Sequence, residues 1–163
     1  MQFNSLTRRA KMCVAAMAIL SQAAWGQTAT CDLNGDGNVN VVDVQLVTNQ
    51  EIGVVSCTAN IGGVLGCTDS ARQVVIKAAL GGGCHFISLS WGASSSAGVV
   101  GYNIYRGTTA GGESTTPINT SPVTGTTFTD INTVSGITYF YVIKATNGSA
   151  ESAPSSEASA TAL

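Results

Sequence analysis

The sequence predicts two small modules of different class: a disulfide-bonded all-α unit made of a duplicated loop and helix, then an all-β antiparallel sandwich. Three observations carry this reading. Composition breaks sharply at Gly81-Gly82-Gly83-Cys84; upstream of it a loop-helix pattern occurs twice, 26 residues apart; downstream, short alternating runs are separated by Gly/Ser/Thr turns. A chain of 163 residues, 44% hydrophobic and 10% charged, has room for one or two compact domains and excludes a large multi-domain enzyme. Its formal net charge of −2 offers no basic surface to phosphates, which removes nucleic acid from the expected partners, along with membranes held by charge. Low charge accompanied by ample apolar content predicts folding rather than disorder.

Arg8, Arg9 and Lys11 precede an apolar run over 12–20, and Ala24-Trp25-Gly26 supplies a small-x-small cleavage site. This reads as a secretory signal peptide over residues 1–26. A membrane span needs about 20 apolar residues. Ser21 and Gln22 end this run early, so no span is expected once the leader is removed. What remains holds Arg72, Lys77, Arg106 and Lys144 against nine acids, a mildly acidic chain expected outside the cell or on its surface. Cys13 falls within the leader and lacks the small-residue context of a lipidated cysteine. The other four cysteines, Cys31, Cys57, Cys67 and Cys84, form an even set, which in an oxidising compartment implies two disulfides.

The most specific motif begins at Cys31: Asp32-Leu33-Asn34-Gly35-Asp36-Gly37-Asn38-Val39-Asn40-Val41-Val42-Asp43. Counting Asp32 as position 1, oxygen-bearing side chains stand at 1, 3, 5, 9 and 12, with glycine at 6, where the sharp turn needs positive φ. That is the spacing of a calcium loop. Calcium is a hard cation that takes six to eight oxygens. The expected ligands are the side chains of Asp32, Asn34, Asp36 and Asp43, the carbonyl of Asn38, and Asn40 directly or through water. After Asp43 the pattern predicts a helix over 44–52, ended by Gly53, with Val44, Leu46, Val47 and Ile52 available for core contact.

Cys57 to Asp69 repeats the pattern 26 residues on, with Thr58, Asn60, Gly62, Gly63, Gly66 and Asp69 at positions 1, 3, 5, 6, 9 and 12. The carboxylates at 1 and 5 are gone, so this copy is expected to stay empty and the chain to hold one calcium ion. Ala71, Val74, Val75, Ala78 and Ala79 then recur with helical period before Gly81.

The duplicated loop and helix over 27–84, with its Asp-Leu-Asn-Gly-Asp-Gly run, resembles a dockerin, with type I-like repeats. The resemblance implies a calcium-ordered module that docks onto a cohesin-type or other extracellular partner in polysaccharide degradation. It also makes Val41 and Val42, at positions 10 and 11, candidates for partner binding, against the alternative of helix-packing core. Four cysteines allow three pairings. Cys57 and Cys67 flank the loop that lost its carboxylates, so a bridge there would organise what metal no longer does, leaving Cys31 with Cys84 to clasp the module's ends. Chain-entropy estimates give about 3 and 4 kcal/mol for the short and long loops.

Residues 85–163 follow other rules. Phe86, Leu89 and Trp91 lie in one strand-like run, residues 102–106 alternate, Phe128 centres another, and Tyr139, Tyr141, Ile143 and Ala145 share one face. Leu89-Ser90-Trp91, Gly101-Tyr102-Asn103-Ile104-Tyr105-Arg106 and Tyr139-Phe140-Tyr141-Val142-Ile143 resemble strands of a fibronectin type III domain, an immunoglobulin-like sandwich. The resemblance makes Trp91 central core and Tyr139 a tyrosine corner. It leaves little chain after Cys84 for a first edge strand.

Catalysis is not expected. The single histidine, His85, has no serine or metal-ligand partner at useful spacing, and Glu51, Asp69, Glu113, Asp130, Glu151 and Glu157 are scattered over different elements. The reading is a secreted, non-catalytic calcium-binding interaction module, with the sandwich as spacer. Two alternatives stand beside it: a structural stalk or adhesin fragment in which calcium only stiffens, and carbohydrate binding by the sandwich through Tyr102, Tyr105 and Phe140.

Overall fold

The computed structural model describes residues 18–20, 31–61 and 65–162. Apart from Ala18–Leu20, the leader expected over residues 1–26 lies outside them.

Helix α1 spans Val41–Glu51, starting three residues earlier than the apolar pattern predicts. The cause is its cap. Asn40 Oδ1 accepts from the Val42 amide at 2.8 Å while Asp43 Oδ2 accepts from the Asn40 amide at 3.0 Å, a reciprocal capping box that satisfies two amides the first turn leaves open. Asp43, Val47 and Gln50 form the buried face, and Gly53 at φ +75° turns the chain away. Ile52, expected in the core, is exposed.

Helix α2, Asp69–Lys77, is capped by Thr68, whose hydroxyl accepts from the Ala71 amide at 3.3 Å. It buries Ala71, Val74 and Val75, and a wider turn, Ala78–Gly82, follows it. These side chains pack with Val47, Ala59, Ile61, Leu65 and Cys31, and Arg72 Nε reaches Glu51 Oε2 at 2.7 Å to join the helices. The segment is therefore two helices set in irregular chain, with an isolated bridge between Ile61 and Leu65, rather than a purely α unit. Disulfides link Cys31 with Cys84 and Cys57 with Cys67, at Cα separations of 5.9 and 5.7 Å.

The helix caps correct the repeat register. Thr68 follows Asn40 by 28 residues and Gly81 follows Gly53 by 28, whereas Cys57 follows Cys31 by 26. The second loop is thus two residues longer, and buried Ala71, not Asp69, occupies the place that Asp43 holds in the first. Asp69 bonds instead to Arg72 and Gln73 on its own helix.

Strands β1 (Ala18–Leu20), β2 (Ile87–Trp91) and β4 (Thr127–Asp130) form one antiparallel sheet in the order β1-β2-β4. The other, in the order β3-β5-β6, contains β3 (Gly101–Gly107), β5 (Thr138–Thr146) and β6 (Ala158–Thr161). That split is the strand order of a fibronectin type III-like sandwich. Its first edge strand comes from far upstream, inside the stretch expected as leader: Ala18 pairs with Trp91 and Leu20 with Leu89, a pairing that removal of residues 1–26 would take away, leaving this edge of β2 open.

Alternation puts Ile87, Leu89 and Trp91 of β2 and Tyr139, Tyr141, Ile143 and Ala145 of β5 inward. The Tyr139 hydroxyl accepts from the Val134 amide at 3.2 Å, the tie expected of a tyrosine corner. Deeper in, Asp130 Oδ2 accepts from the Tyr141 hydroxyl at 2.9 Å and from Arg106 Nη1 at 2.7 Å, with the guanidinium 4.9 Å from the Tyr139 ring centroid. Burial first, and then Asp130, pushes the Tyr141 hydroxyl up.

The modules share a junction. Lys77 Nζ, at the end of α2, donates to the carbonyls of His85 and Ile131 at 2.8 Å each and of Thr133 at 3.3 Å. Phe86 and Ile131 of the second module pack against the helical core.

Two acids on the sandwich carry opposite perturbations. Burial works to raise the Glu151 carboxyl, but the donors Asn103, Tyr105 and Lys144 outweigh it and hold the group below its ordinary value. Glu113 is pushed up, by burial first and by Glu157 beside it. A depressed folded pKa stabilises above the unfolded value and that stability is lost on acidification; a raised one destabilises at neutral pH and the penalty fades on acidification. Glu151→Gln should therefore lower Tm at pH 7, with the gap closing below about pH 4, while Glu113→Gln should raise Tm at pH 7. Shifts of the same sign in thermal melts would contradict the assignment. Asp130→Ala, which strands Arg106 and the buried Tyr141 hydroxyl, should cost about 3 kcal/mol in chemical denaturation; a loss under about 1 kcal/mol would remove Asp130 from the core's support.

Candidate functional site

The loop over 32–43 is organised by its own side-chain oxygens. Asp32 Oδ1 accepts from the amides of Gly35 and Asp36 at 2.8 and 3.2 Å, and its Oδ2 accepts from Gly37 at 2.8 Å. Asn34 Oδ1 accepts from the Asp36 amide at 3.0 Å, and Asp36 Oδ1 from the Asn38 amide at 2.9 Å. Asp36 Oδ2 takes the Asn34 side-chain amide at 2.8 Å. Position 6, Gly37, has φ +85° with nothing near its missing Cβ; backbone strain rather than space is what calls for glycine there.

Asp43 closes the loop from the helix side. It is buried, with Oδ1 accepting from the amides of Leu33 and Asn34 at 2.7 and 3.3 Å and Oδ2 from Asn40. Burial works to raise this carboxyl, yet the amides of Asn40, Leu33, Asn34 and Asp43 itself outweigh it and keep the group below its ordinary range. One carboxylate thus ties the start of the loop to the start of the helix.

Among the described residues, no three His, Cys, Asp or Glu side chains converge as a metal cluster. The donor chemistry nevertheless fits a hard cation. A carboxylate or amide oxygen has two lone pairs, and the amide bonds leave one each on Asp32 Oδ2, both Asp36 oxygens, Asn34 Oδ1, Asn40 Oδ1 and Asp43 Oδ2. All are hard oxygens of the kind calcium selects. No ion pair among the described residues uses Asp32, Asp36 or Asp43, so three carboxylates share a short loop without a basic partner.

The second loop is held differently. Gln50, from the buried face of α1, accepts through Oε1 from the amides of Thr58 and Ala59 at 2.8 and 2.7 Å. That is the task Asp43 performs in the first loop, done by a neutral group from the preceding helix and supported by the Cys57–Cys67 bridge. Sequence reading missed Gln50 because its partners lie in the next loop.

Val41 and Val42 stand at the start of α1, 76% and 48% exposed. Burial in helix-packing core, the alternative for these two residues, is therefore excluded. The aromatic candidates fare otherwise. Tyr102 and Tyr105 are buried: the Tyr102 ring packs edge-on against Trp91 at 5.4 Å and its hydroxyl accepts from the Ser94 amide at 2.7 Å. Tyr105 donates to Glu151 and, by burial first, is pushed up to about 12. Phe140 is half-buried. The three do not form an exposed platform for stacking on sugar rings: alternation turns Tyr102 into the core, while Tyr105, on the other face of β3, is covered by Glu151 and by Lys144, whose Nζ lies 4.4 Å from its ring centroid. Of the scattered acids, the structure brings Glu113 and Glu157 together, a pairing across 44 positions of sequence that spacing cannot reveal.

No family model matches the chain. It is 42% identical over 76 residues to an amylopullulanase of Thermoanaerobacterium saccharolyticum, covering 47% of this chain and 6% of that protein. The chain thus spans a small fraction of the curated relative it matches. Among solved structures, an Fn3-like protein from Clostridium thermocellum is 32% identical with a TM-score of 0.41, over 45% of this chain and 73% of that one. The pectate lyase PelI from Erwinia chrysanthemi, crystallised with tetragalacturonic acid, is 25% identical with a TM-score of 0.39, over 45% of this chain and 24% of that one.

Proposed function

We propose that this chain is a secreted, non-catalytic docking module of a polysaccharide-degrading system. Residues 32–43 would take one calcium ion, and the Val41–Val42 face would meet an extracellular partner of cohesin type. The observation that carries this reading is the combination in one helix start: a loop whose oxygens keep free lone pairs, closed by Asp43, runs directly into two exposed valines. The similarity to a stretch of an amylopullulanase supports the polysaccharide setting.

Calcium would supply positive charge to a loop that carries three carboxylates without a basic partner. Asp32, Asn34, Asp36, Asn40 and Asp43 would hold it through side chains, and Asn38 through its carbonyl. Asp43 does the coupling. Because its oxygens already fix Leu33, Asn34 and Asn40, any tightening of the loop bears on the first turn of α1, where Val41 and Val42 sit. The second loop would remain empty, since Ala71 stands at the place of Asp43. A stiff structural stalk is the second reading, favoured by the Lys77 junction, which ties α2 to the sandwich through three carbonyls.

Calorimetric calcium titration of the oxidised protein should give one site, weakened at least about tenfold by Asp36→Ala and unchanged by Asn60→Ala, since a charged ligand contributes more than a neutral one in an unused loop. Equal effects of the two substitutions would refute the single-site assignment. Val42→Asp should abolish calcium-dependent capture of exported proteins from the source organism while leaving calcium affinity within about twofold, because a charge at the centre of an apolar contact is costly to desolvate. Calcium binding with no chelator-sensitive partner would favour the stalk.

A further inference from the structure

A cleft of about 530 Å³ lies where the modules meet, with Ser70 and Gln73 of α2 on one wall and Arg106, Thr120, Phe128 and Asn132 of the sandwich on the other. A second, of about 500 Å³, shares Ser70, Phe128 and Thr129 with it, so the two form one groove. Its walls are charge-balanced. The Arg106 guanidinium is neutralised by Asp130 at 2.7 Å, which disfavours both anions and cations as ligands.

The groove is rich in hydrogen-bonding groups of both kinds. Among the described residues, Arg106, stacked over the Tyr139 ring, hydrogen-bonds through Nη1 alone, to Asp130 and the Asn132 carbonyl, and Gln73 through Nε2 alone, to Asp69. The hydroxyls of Ser70, Thr120 and Thr129 and the Asn132 side-chain amide are not tied to another described residue. Donors and acceptors therefore line a neutral groove beside the half-buried Phe128 ring, at a domain junction, where ligand sites concentrate. Its lining comes from both modules, and the Lys77 contacts hold the walls in place.

We propose that this inter-module groove binds a neutral oligosaccharide, whose hydroxyls both donate and accept and whose C–H faces suit Phe128. The site is distinct from the buried tyrosines and independent of calcium. Titration of the full oxidised chain with maltohexaose, cellohexaose and xylohexaose, followed by amide chemical shifts, tests it. The expected result is binding of at least one of them at millimolar affinity or tighter, with shifts at Gln73, Thr120 and Asn132, unaffected by chelator. Ser70→Trp, which fills the groove, should weaken that binding at least about tenfold, and Gln73→Ala about threefold or more. The proposal is overturned by no shifts at about 10 mM of every probe, by preferential binding of tetragalacturonate, or by affinity retained in folded Gln73→Ala and Ser70→Trp.

Discussion

Asp43 is the residue on which the first module is organised. Its carboxylate lies in the interior, and no described Lys or Arg pairs with it, a placement that would be costly if its oxygens were unmet. Three backbone amides meet them: two at the entry to the loop and one at the helix cap. The same three bonds fold the loop, start α1 and keep the group ionised, since backbone donors outweigh the effect of burial. The exposed pair Val41 and Val42 is a consequence, because a helix begun at Val41 places its first two residues outside the buried face that starts at Asp43 and continues through Val47.

The second loop shows the same problem solved without charge. Its entry amides are held by Gln50 from α1, its ends by the Cys57–Cys67 bridge, and its middle by the Ile61–Leu65 pairing. A neutral amide and a covalent link need no counter-ion. The two extra residues move Asp69 onto the surface of α2, where it serves Arg72, and Arg72 in turn holds Glu51 of α1. Charge that one loop reserves for itself is used in the other to join the helices.

Between the modules the chain has few degrees of freedom. Cys84 is bonded to Cys31, β2 begins three residues later, and Lys77 spans the gap to the turn after β4 with its ammonium on backbone carbonyls. Burial lowers the lysine's proton affinity and Asp130 opposes that effect. The sandwich is accordingly placed by the helical unit rather than hung on a free linker, and the groove they share has walls of fixed spacing.

By itself, the sequence determined the features that depend on local spacing: the loop pattern of 32–43, the glycine at position 6, the glycine that ends α1, the alternating strands and the inward face of β5. Each follows from backbone geometry over a few residues, whereas the Tyr139 tie to Val134 was implied by the fibronectin resemblance. Tertiary structure alone decided what depends on distant partners. Gln50 serves a loop outside its own helix, Ala71 rather than Asp69 matches Asp43 because the caps reset the repeat, and Tyr102 and Tyr105 are covered on opposite faces of β3, the first by the sandwich core and the second by Glu151 and Lys144. The edge beside β2 is filled by Ala18–Leu20, and Glu113 meets Glu157, through pairings no local pattern encodes. Short-range hydrogen bonding writes itself into residue spacing; contact across the core depends on how whole elements pack, and a single chain of letters does not carry that.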